Sequence, residues 1–196
     1  MYKIDLSRAI AALLSGDIIV YPTDTLYALG ADVYNGRAVR RIFKVKRRPL
    51  DDPLPVAVSD FNTVEEIAFV NDNVRRLAEC FLPGSLTLVL NKKSIISDVI
   101  TGGLDKVAVR IPDNDVALKL LSVFGPLTVT SANIHGMETS GLIKDVKMQF
   151  NVDDVAVYLD YGKLDGMPST IVDMTANKPR IVREGVITEK EILDVI

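Results

Sequence analysis

Short apolar runs alternate with amphipathic helical patterns along nearly the whole chain, and this alternation most constrains the fold. Residues 17–21 are mostly apolar and end at Pro22, which is typical of a buried strand. Residues 72–81 repeat apolar residues at helical spacing and stop before Pro83 and Gly84. Because strands and helices interleave, the sequence predicts an α/β fold with helices covering a sheet. Some consecutive strands have no helical segment between them, so the sheet should be mixed rather than purely parallel.

The same patterns give the expected positions of the elements. Predicted helices cover residues 6–15, 37–45, 72–81, 116–124 and 143–150, with Asp5 as the cap of the first. Two more should begin at capping boxes, which pair Thr63 with Glu66 and Thr188 with Glu191. Predicted strands cover residues 17–21, 53–58, 86–90, 106–111, 126–130, 155–159, 169–172 and 180–182. No repeat or linker separates these elements, so we expect residues 1–196 to form one domain.

Composition excludes several kinds of site. The formal net charge is −3, so any site for a polyanion must be a local basic patch. Cys80 and His135 are the only residues of their types, which excludes multi-cysteine zinc sites and histidine-rich metal sites. The sequence shows neither a secretory signal nor an apolar run of membrane-spanning length. We therefore expect a cytoplasmic protein that does not enter a membrane.

A basic segment offers one local patch of this kind. It consists of seven cations without an intervening acid: Arg37, Arg40, Arg41, Lys44, Lys46, Arg47 and Arg48. The first four share one helical face, which we interpret as a solvated surface. Lys46 and Arg48 flank a loop that Pro49 stiffens, and there a site for phosphate oxygens is the better interpretation.

Hydroxyl and amide side chains follow two of the predicted strands. One turn contains Thr23, Asp24 and Thr25, and another segment contains Ser131 and Asn133. Loops at the carboxyl ends of strands bind ligands in α/β folds, and groups like these can read a ligand by hydrogen bonds. The alternative is that they only satisfy the backbone of ordinary turns. His135 is the only histidine near Ser131, so the sequence does not support a Ser-His-Asp hydrolase.

Arg110 is the least ordinary residue, because it lies inside a strand of apolar residues. A guanidinium in that position needs a carboxylate or an anionic ligand. Ser169 opens a later strand, and Arg183 precedes a glycine turn at Gly185. The sequence contains neither a P-loop nor a G-x-G-x-x-G motif, so a nucleotide would have to bind without the common phosphate cradles.

Taken in order, these segments resemble the Sua5/YrdC/YciO family. The resemblance extends from about Leu6 to Thr188. It rests on residues 21–27, 46–49, 53–54, 83–87, 109–112, 131–136, 169–173 and 183–185. Three positions depart from the pattern frequent in the family, namely Ala28, Ala57 and Ser85.

The resemblance implies one α/β domain with a large twisted mixed sheet and a concave basic cleft. It also implies synthesis of threonylcarbamoyl-AMP from L-threonine, bicarbonate and ATP, for N6-threonylcarbamoyladenosine modification of tRNA. No residue is expected to form a covalent intermediate, because the reaction depends on positioning and positive charge. The implied ATP ligands, with Mg²⁺, are Lys46, Arg48, Asp52, Asn133, Ser140 and Arg183. The implied threonine ligands are Thr25, Arg110, Ser131 and Ser169.

Two alternatives remain at this stage. The basic segment could bind double-stranded RNA or tRNA in a module without catalysis. Alternatively, the domain could handle a carbamoyl adenylate, as related domains do in carbamoyltransferases of hydrogenase maturation. The chain shows no zinc-finger or acylphosphatase-like segment of those proteins. If it is the synthase, its product should pass to a downstream threonylcarbamoyl transferase.

Overall fold

The computed structural model describes residues 6–176 and 178–196. The helices are α1 (Ser7–Leu14), α2 (Gly36–Lys46), α3 (Phe61–Ile67), α4 (Asp72–Phe81), α5 (Asp98–Thr101), α6 (Asp115–Phe124), α7 (Ile143–Met148) and α8 (Glu189–Leu193). The strands are β1 (Ile19–Tyr21), β2 (Ala28–Gly30), β3 (Val56–Ala57), β4 (Leu86–Asn91), β5 (Lys106–Arg110), β6 (Leu127–Thr128), β7 (Thr130–Ser131), β8 (Val157–Tyr158), β9 (Thr170–Asp173) and β10 (Arg180–Arg183).

The strands form two mixed sheets flanked by helices, which confirms the predicted α/β class. One sheet has the order β7-β2-β1-β8 and the other β10-β9-β4-β5-β3-β6. Both contain parallel and antiparallel pairs, as the missing crossover helices indicated. The sequence suggested a single sheet, whereas hydrogen bonding divides the strands into two.

The division occurs in the predicted strand at residues 126–130. Its first half, β6, pairs with β3, and its second half, β7, pairs with β2 in the other sheet. Thr128 lies at the junction, where its Oγ1 accepts from Ala31 N at 3.0 Å and donates to Leu29 O at 3.1 Å. Tyr21 Oη donates to Thr128 O at 3.0 Å. Side-chain hydrogen bonds therefore satisfy the backbone where the ladder is interrupted.

Helix starts follow the capping chemistry of the sequence, with one correction. Asn35 accepts from Arg37 N and Ala38 N at the start of α2, and the predicted capping box of Thr188 and Glu191 is present at α8. The prediction that Thr63 and Glu66 form a capping box is wrong. Asp60 caps α3 three residues earlier, because its carboxylate reaches Thr63 N at 2.9 Å. The predicted cap Asp5 lies outside the described residues.

Two short elements were not predicted, namely β2 and α5. The β2 strand is three residues long and carries little periodicity, yet it is fully buried beside β1. A Cβ at Gly30 would lie 2.8 Å from the Tyr21 ring, so glycine lets that ring pack against the strand. Tertiary packing, rather than local pattern, determines this element.

Helix α2 separates apolar and basic faces as predicted. Ala38 and Ile42 are buried in the core, while Arg37, Arg40 and Lys44 are exposed. Arg41 makes an ion pair with Asp17 at 2.7 Å. In the part of the chain that the structure describes, no helix is long and apolar enough to cross a membrane.

Asp173 links three strands of the larger sheet. Its Oδ2 accepts from Lys106 Nζ at 2.9 Å across β4, and Thr175 N and Oγ1 donate to its Oδ1. Burial alone would raise the pKa of Asp173, but these hydrogen bonds outweigh it and hold the pKa at about 2, against an ordinary 3.8. Because the folded-state pKa is depressed, the stabilisation is present above about pH 4 and is lost as the pH falls towards 2.

We expect Asp173→Asn to lower the free energy of unfolding by about 2 kcal/mol at neutral pH, since one pKa unit corresponds to about 1.4 kcal/mol. The variant should also lose less stability than the wild type between pH 4 and pH 2. Urea unfolding at several pH values measures both effects, and Asp153→Asn, at an exposed carboxylate, is the matched control. Parallel pH curves for the wild type and Asp173→Asn would contradict this assignment.

Candidate active site

Arg110 is the centre of a buried polar cluster at the end of β5. The residue is 5% exposed, as its apolar strand predicted. Its Nη2 donates to Asp24 Oδ1 at 2.7 Å, and its Nη1 donates to Thr25 Oγ1 at 3.3 Å. The anion that a buried guanidinium requires is therefore a carboxylate from the hydroxyl-rich turn. One atom, Nε of Arg110, is buried without a hydrogen-bond partner in the described structure.

Asp24 is a site residue that the sequence-based list omits. Its second oxygen, Oδ2, accepts from Ser85 Oγ at 2.8 Å, so both carboxylate oxygens are engaged. Ser85 is also one of the departures from the family pattern. A signal for Asp24 was present, because it is the only acid in a turn that follows a buried strand. Its partner was less apparent, since Arg110 lies 86 residues away along the chain.

A second guanidinium lies close to the first. Arg183 donates to Ser169 O at 2.7 Å through Nη2 and at 3.2 Å through Nε. Ser169 Oγ lies 2.9 Å from Thr87 Oγ1 inside the sheet. Partial burial lowers the pKa of Arg183, and the neighbouring positive charge of Arg110 lowers it further. Among the described residues, Asp24 pairs with Arg110, whereas Arg183 donates to the oxygens of Ser169, so this cluster has an excess of positive charge.

Lys46 belongs to a separate cluster and is not free in the described structure. It is 1% exposed, and its Nζ donates to Ser131 O, Asn133 O and Asn133 Oδ1 at 2.6, 2.8 and 3.1 Å. Burial lowers the pKa of Lys46 to about 7, and nearby Arg48 adds to the effect. The three acceptors nevertheless match the three N–H groups of an ammonium, which favours the charged form. Lys46 therefore fixes the segment that carries Ser131 and Asn133.

The remaining predicted ATP ligands have different hydrogen-bond partners, and they do not form one cluster. Arg48 donates to Asp52 Oδ1 and to Pro53 O, both at 2.8 Å, and its side chain is 17% exposed. Asn133 donates through Nδ2 to Met137 O and accepts from Ser131 Oγ, each at 2.6 Å. Ser140 bonds instead to Asp145 at the start of α7. The structure thus brings Lys46, Ser131 and Asn133 into direct contact, whereas the predicted role of Ser140 stays a prediction.

Pairing between β2 and β7 brings the two clusters to the same end of the smaller sheet. Ala28 pairs with Ser131, and Ala132 N donates to Tyr27 O at 2.9 Å. Thr25, which contacts Arg110, precedes Tyr27 by two residues. The arrangement suits a ligand with an anionic group at the Arg110 end and phosphates near Arg48.

Comparison with known proteins identifies the family to which the chain belongs. The model of a domain family named for Sua5, YciO and YrdC, described as telomere recombination, matches residues 11–185. The chain belongs to the Sua5/YciO/YrdC family. A relative from Methanocaldococcus jannaschii is 39% identical over 176 residues, which cover 89% of this chain and 83% of the relative. The threonylcarbamoyl-AMP synthase of Pyrococcus abyssi is 39% identical over 184 residues, or 92% of this chain.

Solved structures agree with the observed fold. The P. abyssi Sua5 structure complexed with L-threonine is 38% identical and superposes with a TM-score of 0.92 over 96% of this chain. Escherichia coli YciO is 28% identical, with a TM-score of 0.86 over 94% of this chain and 90% of that protein. The chain spans only 54% of the P. abyssi synthase and 56% of the chain in its threonine complex.

The contacts of Lys46 generate a prediction about stability. We expect Lys46→Met to lower the free energy of unfolding by about 2 kcal/mol, because three buried oxygens lose their donor. Lys44→Met is the matched control, since Lys44 lies on the same helix but is exposed. Denaturant unfolding of both variants checks the expectation. If the two variants were equally stable, the three hydrogen bonds of Lys46 would not hold the segment.

Proposed function

We propose that this protein is a threonylcarbamoyl-AMP synthase, which converts L-threonine, bicarbonate and ATP into threonylcarbamoyl-AMP and pyrophosphate. The observation that carries the proposal is the pair of neighbouring guanidiniums among buried hydroxyls, in which Arg110 pairs with Asp24 and Arg183 is held by Ser169. This excess positive charge lies in a member of a family in which P. abyssi Sua5 is complexed with L-threonine. Family and charge together favour an enzyme over a non-catalytic RNA-binding module.

Threonine fits the Arg110 end of the site. The guanidinium of Arg110, oriented by its bond to Asp24, would supply positive charge to the amino-acid carboxylate. The hydroxyls of Thr25 and Ser169 lie at this end and can bond to the ammonium or hydroxyl of the substrate. Ser131, in the neighbouring Lys46 cluster, is the remaining proposed threonine ligand. Its hydroxyl already donates to Asn133.

ATP fits the Arg48 end of the site. Arg48 is only partly buried and remains positive, while Asp52 holds its orientation. Arg183 would also interact with the negatively charged phosphates. Asn133 and Ser140 would lie near the nucleoside. We propose that Mg²⁺ arrives bound to ATP with phosphate oxygens as its main ligands. Among the residues that the structure describes, no group of three His, Cys, Asp or Glu side chains could hold the ion alone.

The proposed chemistry needs no covalent protein intermediate. The threonine nitrogen attacks carbon dioxide derived from bicarbonate and loses a proton, which gives a carbamate. A carbamate oxygen then attacks the α-phosphorus of ATP, and the bond to the bridging oxygen breaks as pyrophosphate leaves. The protein contributes orientation of the two substrates and fixed positive charge around the phosphates.

Transfer of the product to tRNA is a further part of the proposal. Arg37, Arg40, Lys44 and Arg47 are exposed around α2, and they form a surface to which an RNA backbone could bind in a salt-dependent manner. A downstream threonylcarbamoyl transferase would take the adenylate from this protein. Neither partner is needed for the pyrophosphate-releasing step.

Pyrophosphate release tests the proposal directly. With ATP, Mg²⁺, bicarbonate and L-threonine, the pure protein should release pyrophosphate and form an adenylate that contains the amino acid. Omission of any one component should reduce release to background, because the carbamate is the nucleophile. Release that continued without threonine or bicarbonate would show a different reaction, and salt-sensitive RNA binding without turnover would favour the binding-module alternative.

Arg110→Lys tests the threonine end of the site. An ammonium cannot present the planar fork of a guanidinium, so we expect threonine affinity to fall at least about tenfold while ATP affinity changes little. Stability should fall too, because the contact with Thr25 is lost alongside the altered pairing with Asp24. Calorimetry with each ligand, run beside melting curves, separates the effects. A folded variant that is less stable but binds threonine normally would restrict Arg110 to its ion pair.

A further inference from the structure

One of the segments that connect the two sheets runs past the site. Residues 160–168, which we call the strap, begin after β8 of the smaller sheet and end before Ser169 and β9 of the larger sheet. None of the motifs discussed above includes the strap. This connection passes beside Thr25, whose carbonyl oxygen accepts from Gly166 N, and it ends next to Ser169.

Hydrogen bonds to backbone atoms of the strap hold it at three points. Tyr27 Oη donates to Gly162 O at 2.7 Å and accepts from Tyr161 N at 2.9 Å. Leu164 N donates to Gly141 O at 2.9 Å, and Gly166 N donates to Thr25 O at 3.0 Å. The last contact joins the strap to a residue whose hydroxyl accepts from Arg110. The strap therefore lies directly against the proposed amino-acid end of the site.

At two of these contacts the two backbone segments lie too close together for any residue but glycine. A Cβ at Gly141 would lie 1.7 Å from Leu164 O, and a Cβ at Gly166 would lie 2.4 Å from both the Cα and the O of Thr25. Neither glycine has a positive φ, so close approach, rather than backbone conformation, requires it. The sequence thus keeps this segment at the minimum distance from Thr25.

The charged side chains of the strap, Asp160, Lys163 and Asp165, are all exposed. Lys163 and Asp165 form an exposed ion pair with each other at 2.7 Å. Leu164 and Gly166 are partly buried and contribute only apolar groups and backbone, and Gly166 contacts Thr25 directly. Such a wall suits a small, uncharged side chain, because a larger one would displace the strap and a charged one would lack a partner.

From these contacts we infer that the strap is the specificity wall for the amino-acid side chain, and that Gly166 and Tyr27 set its position. The inference rests on the proposed function, since it assigns the amino acid to the Thr25 end. Gly166 and Tyr27 act through the strap as positioning residues. Their effect should therefore fall on amino-acid recognition and leave the nucleotide end largely unchanged.

The test compares Gly166→Ala and Tyr27→Phe with the wild-type full-length chain. We expect the threonine KM to rise about tenfold in Gly166→Ala, since the Cβ forces the strap away and breaks a hydrogen bond. The ATP KM should change less than about twofold, and the preference for threonine over serine and valine should narrow. Gly36→Ala is the control, because its added Cβ would make only an ordinary contact, at 3.5 Å, with an Arg40 nitrogen.

Two measurements keep the outcomes separate. Calorimetric binding of threonine requires no turnover, so it tests the strap even if the wild type fails to release pyrophosphate, which would refute only the proposed function. Melting curves identify a variant that does not fold, and in that case Tyr27→Phe decides, since it removes one hydroxyl and keeps the ring. Folded variants with wild-type threonine affinity and wild-type amino-acid preference would overturn the inference.

Discussion

The buried ion pair of Asp24 and Arg110 is the interaction on which the rest of the site depends. It joins the turn after β1 in one sheet to the end of β5 in the other, and its atoms lie 2.7 Å apart with both side chains largely buried. Moving two charges out of water costs several kcal/mol each, so such a pair seldom adds stability over an apolar contact. Its value lies in geometry, because it links the turn after β1 to the end of β5 and fixes the guanidinium of Arg110 between the two sheets.

The site shows how a nucleotide could be bound without a glycine-rich phosphate loop. Instead of one helix N-terminus, the cleft has four cations, contributed by α2, the loop after it, β5 and β10: Lys46, Arg48, Arg110 and Arg183. Among the residues that the structure describes, only Asp24 and Asp52 form ion pairs with them. The net positive charge of this site would attract a polyphosphate, even though the whole chain is acidic.

The local sequence pattern predicted most helices and strands. The features that it did not predict depend on contacts between segments far apart in the sequence. Apolar periodicity located α4 and β5, and side-chain chemistry located the cap Thr188. The burial of Arg110 also followed from its own strand. The division into two sheets did not, because it depends on Thr128 bonding to residues almost 100 positions earlier. The family resemblance suggested that Lys46 holds phosphate, yet its three acceptors lie about 85 residues away and leave no N–H free.

The partners of these cations differ in a way that bears on function. Carbonyl and amide oxygens hold Lys46, and Ser169 O holds Arg183, so both are oriented by dipoles that do not cancel their charge. A carboxylate partner would fix the side chain equally well but would neutralise the field that a phosphate experiences. Dipolar partners therefore preorganise positive charge before the ligand arrives. Burial lowers the pKa values of Lys46 and Arg183, and the neighbouring positive charges of Arg48 and Arg110 lower them further.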